Sequence, residues 1–146
     1  MKNVSELNKL KVRLFIEAVW NEGRLDLIDE LIAADYIGSV PCSRSAAAGP
    51  EGVRRLVTVC RRAYPGLYIK IEDQIAEEDR VVTRWRATTA PVPAAAPTEI
   101  DPCYTGISVI RLLAGKQVDS RTECARHLHP ASRAWPVSTK NRSPGP

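Results

Sequence analysis

Histidine is nearly missing from this chain: two occur among 146 residues, and only four cysteines accompany them. Cys42, Cys60, Cys103 and Cys124 are scattered, with no CxxC pair and no metal-finger spacing. That excludes a zinc finger or a disulfide framework and leaves the cysteines as small buried hydrophobes of a reducing compartment. His127 and His129 form an HxH, but two ligands do not complete a tetrahedral shell, so no metal is expected. Both stand at the very end of the chain's patterned region, which leaves a Ser-His-Asp or Cys-His mechanism without support. Long apolar runs are absent too, so no segment reads as a membrane span. The first twenty residues carry Lys2, Glu6, Lys9, Lys11, Arg13 and Glu17, which rules out the apolar stretch of a signal peptide. The expected location is cytoplasmic, with no membrane partner.

The net charge is +4. Four arginines, Arg54, Arg55, Arg61 and Arg62, sit on one predicted helix, opposite its apolar face, and read as a solvated surface. Interleaved aromatics or a nucleic-acid motif would accompany a dedicated binder, and neither is present, so no nucleic-acid partner is expected.

Hydrophobic spacing then sets the elements. Leu7, Leu10, Leu14, Phe15, Ala18 and Val19 recur at helical intervals and predict an amphipathic helix over 4–20, stopped by Asn21-Glu22-Gly23. Leu25, Ile28, Leu31 and Ile32 predict the inner face of a second helix, followed by an extended piece from Tyr36 to Val40. Gly49-Pro50 opens a third helix that buries Val53, Leu56, Val57 and Cys60 and stops at Pro65-Gly66. The period then falls to two: Leu67, Ile69, Ile71 and Ile75 alternate with polar residues and predict a strand with one buried face. Arg80 to Thr89 is its return strand. The segment APVPAAAP (90–97) holds three prolines and is expected as a loop at the sheet rim. Tyr104 to Leu113 and Lys116 to Arg126 make a second hairpin turned by Ala114-Gly115. Arg84 and Arg86 alternate away from Trp85 and belong on the outer sheet face. The expected fold class is α+β, a curved antiparallel sheet covered by three N-terminal helices, in one domain over 1–128. A Pro- and Ser-rich tail over 129–146 is expected to be disordered.

Three stretches carry a resemblance. They are Ala18-Val19-Trp20-Asn21-Glu22-Gly23 with the helix up to Tyr36, Gly49-Pro50-Glu51-Gly52-Val53, and Thr105-Gly106-Ile107-Ser108-Val109-Ile110-Arg111 with Gly115-Lys116. Taken in order, the chain resembles the SnoaL-like polyketide cyclases of the nuclear-transport-factor-2-like superfamily over residues 7 to 126. The resemblance implies a cone-shaped barrel open at one end, often a homodimer through the outer sheet face. It also implies a cofactor-independent cyclase or isomerase of secondary metabolism, acting on a hydrophobic, oxygenated, polyketide-like small molecule. A cofactor-independent hydroxylase and a non-catalytic binding or dimerisation module are the alternatives on the same scaffold.

Carried over by position, the family's polar site is replaced. Ser39 stands where a histidine follows the second helix, Thr89-Ala90-Pro91 where a second histidine ends a strand, and Ala125 where an aspartate serves as acid and base. Proton transfer in an apolar pocket calls for a carboxylate with a raised pKa and a donor for the enolate. Period-two alternation puts residues 121, 123 and 125 on one face of the strand, and the resemblance implies that this face carries the catalytic acid. Glu123 is then either the substitute base, with Arg121 and Tyr104 stabilising negative charge, or the partner of Arg121 in a structural ion pair. Trp20 and Trp85 offer flat surfaces to a ligand, and Ser39, Thr89 and Ala125 complete the expected binding set.

Overall fold

The computed structural model describes the backbone of residues 3–39, 45–90 and 100–130, and the side chains within these ranges except 100–103 and 126–130. The first helix, α1 (Val4–Leu14), is capped by the Asn3 side chain, which accepts from the Glu6 N–H at 2.9 Å. It continues without a break as a π-helical segment, Phe15–Asn21. Its end is held twice. Arg61 donates to the carbonyls of Trp20 (2.6 Å) and Asn21 (2.8 Å), and the Asn21 amide exchanges two hydrogen bonds with the Ile69 backbone. Gly23 then takes the left-handed conformation that the stop signal called for (φ 73°).

A 3-10 turn (Leu25–Leu27) and one α-turn, α2 (Ile28–Leu31), lead into β1 (Ile32–Ser39). The second helix is therefore shorter than its spacing suggested, because Ile32 already pairs with Gln117 in the sheet. A two-residue strand, β2 (Ala47–Ala48), precedes α3 (Gly49–Ala63). Two hairpins follow: β3 (Tyr68–Glu77) with β4 (Arg80–Thr88), and β5 (Ile100–Leu113) with β6 (Lys116–Pro130). The sheet order is β2-β1-β6-β5-β4-β3. β1 runs parallel to β6, so the sheet is mixed and not antiparallel throughout. Parallel pairing needs a long connection, and here α3 and four strands lie between the two.

Two one-residue bulges change which side chains face the helices. In β3 the register against β4 shifts between Ile71 and Asp73. Ile69 and Ile71 face inward, but past the bulge Gln74 and Ala76 take that side and Ile75 is 64% exposed, the reverse of the expected alternation. In β6, Leu112 pairs with Gln117 and Arg111 with Asp119, so Val118 is the extra residue. Gln117 faces in before it, and Ser120 and Thr122 after it.

The core has two parts. Val12 and Ile16 pack against Val81, Ile110 and Leu112 of the sheet. Phe15, Val19, Ile28, Leu31, Tyr36, Val53 and Val57 fill the space among the helices and β1. Leu7, Leu10 and Leu14, expected on the buried face of α1, are 48%, 44% and 42% exposed. At about 100° per residue they lie roughly opposite Val12 and Ile16, so the helix carries two apolar stripes and the sheet covers one. Arg54 and Arg61, read as solvated, are ties: Arg54 bonds Asp29 and Glu51 (2.7 Å each), and Arg61 closes the first helix. Among the described residues no helix is long and apolar enough to cross a membrane. The side chains of Cys103, His127 and His129, the proline segment beyond Ala90, and residues 131–146 lie outside the described residues.

Candidate functional site

The helices and the inner sheet face line a partly open cavity of about 170 Å³. The π-helical segment brings Phe15, Ile16 and Trp20 to it, and α3 brings Val53, Leu56, Cys60 and Tyr64. The sheet contributes Ile69, Trp85, Ala87, Tyr104 and Ile110, with Tyr36 entering from β1. Strand parity, set by the bulge at Val118, turns Ser120, Thr122 and Cys124 of β6 inward.

The polar groups of this wall are linked to one another. The Trp85 Nε1–H donates to Ser108 Oγ at 3.0 Å, and Ser108 Oγ shares a hydrogen bond of 2.8 Å with Thr122 Oγ1, its cross-strand partner. Space for the indole comes from Gly106, its partner across β4–β5: a methyl group there would stand 2.6 Å from Cε2 and 2.7 Å from Cη2 of Trp85. Tyr104 packs edge-on against Tyr64, with ring centroids 5.7 Å apart. Tyr36 is hydrogen-bonded to Ser120. Burial pushes its phenol pKa upward, the Ser120 bond opposes this, and the charge of Asp119 adds to it. The phenol is therefore neutral at physiological pH and able to donate.

Of the residues expected at the site, Trp20, Trp85 and Tyr104 line the cavity. Glu123, Arg121 and Ala125 do not. The bulge moves the inward set from odd to even numbers, so these three lie exposed on the outer face of the sheet. There Glu123 and Ala125 border an open trough of about 640 Å³ with Lys70, Glu72, Arg84 and Arg86, and Arg86 pairs with Glu72 at 3.3 Å. Arg84 and Arg86 are thus on the side their alternation indicated. Among the described residues neither Arg121 nor Glu123 forms an ion pair. Ser39 is exposed at the end of β1, and Thr89 follows β4 outside the cavity wall.

Sequence reasoning passed over Tyr36, Ser108, Ser120, Thr122, Cys60 and Cys124, all of which line the cavity. One signal was available for Tyr36: a glycine two positions on, Gly38, shares its strand face. For β6 no local signal marks the bulge. Among the described lining residues there is no carboxylate and no imidazole, and no group of three or more His, Cys, Asp or Glu is placed to hold a metal ion.

Helices packed on one face of a mixed six-stranded sheet, with an apolar cavity between them, define an α+β fold of the nuclear-transport-factor-2-like kind. The family model for SnoaL-like polyketide cyclases matches residues 10–124, and the chain belongs to that family. Solved structures agree in fold. One is assigned as a SnoaL-like polyketide cyclase from Jannaschia sp. CCS1, with TM-score 0.70 and 19% identity, covering 85% of this chain and 89% of that one. TsrD from Streptomyces laurentii gives 0.65 and 17%, covering 84% and 91%. A protein assigned as an isomerase of the SnoaL-like family from Agrobacterium tumefaciens gives 0.65 and 16%, covering 82% and 98%. At these identities the likeness carries the fold alone. No curated protein matches the sequence.

Proposed function

We propose that the protein is a cofactor-independent cyclase or isomerase of secondary metabolism that acts on a hydrophobic, oxygenated, polyketide-like molecule held in the cavity between the helices and the sheet. The observation that carries this reading is the wall itself: aromatic and aliphatic, with uncharged hydroxyl and indole groups as its polar features, in a chain of the SnoaL-like family. A cavity of about 150 Å³ houses one benzene ring. The 170 Å³ here matches one ring of a substrate more closely than a whole polycycle. Rate enhancement then comes from holding a near-attack conformer in a dry, shaped space, with neutral donors meeting negative charge on oxygen.

A second reading has its own observation. The described lining lacks any carboxylate or imidazole to move a proton, which suits a ligand-binding module without turnover. Comparing mass-resolved metabolites of the host with and without this gene separates the two. An accumulating isomer of equal mass supports a cyclase or isomerase, and a missing oxygen indicates a hydroxylase. An unchanged profile, with ligands that raise Tm, supports binding alone.

The outer sheet face is proposed to pair with a second copy. Arg84, Ile107 and Glu123 form one row across β4, β5 and β6, so a two-fold axis on Ile107 would set each cation against the partner copy's anion. Light scattering that reports a monomer at micromolar concentration would remove this proposal.

A further inference from the structure

We infer that Tyr36 is the specificity-determining group of the cavity, donating a hydrogen bond to a carbonyl oxygen on the ring bound there, with Gly38 and Ser120 holding its hydroxyl in place. The inference rests on the cavity being the ligand site and names what it recognises: a neutral, planar ring ketone or its enol.

The geometry begins on β1. Tyr36 is 6% exposed, and its side chain lies back along the strand over Gly38. A methyl group at 38 would overlap the phenol oxygen and stand 2.6 Å from Cζ and 2.9 Å from Cε1. Gly38 is not among the residues of positive φ, so the backbone does not need glycine there. What the position requires is the missing side chain. In the parallel β1–β6 ladder Gly38 pairs with Ser120, so a phenol that crosses Gly38 arrives at the Ser120 hydroxyl, and the two are hydrogen-bonded. Three residues on two strands thus fix one oxygen atom at the wall of an apolar cavity.

The other polar groups are committed differently. The Trp85 N–H is taken by Ser108, and Ser108 is shared with Thr122. In the proposed arrangement Ser120 donates to the Tyr36 oxygen and the phenol O–H is given to the ligand, and each bond in such a chain polarises the next. Among the described residues the cavity lining holds no cation to pair with an anionic ligand, which leaves a neutral acceptor.

The test compares 1-indanone with indane, a ketone and the hydrocarbon of the same shape, by calorimetric titration of the full chain. In Tyr36→Phe the affinity for 1-indanone is expected to fall three- to tenfold, the worth of one net hydrogen bond, while indane binds unchanged. Gly38→Ala, which displaces the hydroxyl, should do the same. A parallel loss for both ligands would make Tyr36 a packing residue and overturn the inference without touching the proposed function. If neither ligand binds the wild-type protein, the cavity reading falls and takes the inference with it. A readout that needs no variant is the infrared carbonyl stretch of bound 1-indanone. It should shift to lower frequency than in hydrocarbon solvent, and an unshifted band refutes the donor.

Discussion

Gly106→Ala sets two well-understood effects against each other. In an ordinary strand the change raises stability by roughly 0.5–1 kcal/mol, because glycine gives up more chain entropy on folding. Gly106 has no positive φ, so nothing in its backbone opposes alanine. The opposition comes from Trp85, whose Cε2 and Cη2 atoms would lie 2.6 and 2.7 Å from the new methyl group, inside any real carbon–carbon contact. The indole has to move. Displacing a packed side chain costs about 1–3 kcal/mol, and moving the ring breaks its 3.0 Å bond to the buried Ser108, worth about 1 kcal/mol more. The net expectation is a loss of about 1–3.5 kcal/mol, centred near 2. With a urea m-value of roughly 1.5 kcal/mol/M, the midpoint falls by about 1.5 M, read by circular dichroism. The same change in a Trp85→Phe background, where the outer indole carbons are gone, should cost less than about 1 kcal/mol, a coupling that marks direct contact. Unchanged or raised stability for Gly106→Ala in the wild-type background would refute the placement of the indole.

Three further expectations follow from single residues. Gln117 is 1% exposed and its amide N and O have no partner among the described residues, so Gln117→Leu should raise stability by about 1–2 kcal/mol, seen as a higher Tm; a lower Tm would mean that the amide is satisfied. The Tyr36 phenol has a folded pKa above its ordinary value of about 10, so above that pH the unfolded chain loses this proton while the folded chain keeps it. Its contribution is complete below pH 10 and declines as pH rises, and Tyr36→Phe should flatten the alkaline arm of a urea-midpoint profile relative to wild type. Glu123→Gln, on the outer face, should leave the calorimetric affinity for 1-indanone within twofold of wild type; a larger change would put Glu123 at the cavity.

A small part of the candidate site was legible residue by residue. Trp20, Trp85 and Tyr104 line the cavity, and Trp85 and Tyr104 sit in strands whose own alternation is unbroken up to those residues. Glu123 and Arg121 were read onto the wrong face for one reason: a strand counted in twos from Gly115-Lys116 cannot reveal that Val118 has been skipped in the pairing. Ile75 was misplaced by the same device in β3. Tyr36 was passed over because its role depends on a neighbour strand, β6, that is distant in sequence.

By itself the amino-acid order determined the bounds of the first and third helices, the two hairpins and the α+β class. Those depend on local chemistry: glycine and proline at turns, caps at helix ends, and the period of the apolar residues. Tertiary packing decided what local chemistry leaves open. It chose which of the two leucine-bearing and valine-bearing stripes of α1 meets the sheet, joined β1 in parallel to β6, and placed the bulges that turn hydroxyls inward and the carboxylate out. A bulge alters every later side chain of its strand at the expense of one ladder position, so the face a residue occupies is set by its partner strand and not by its neighbours in the chain.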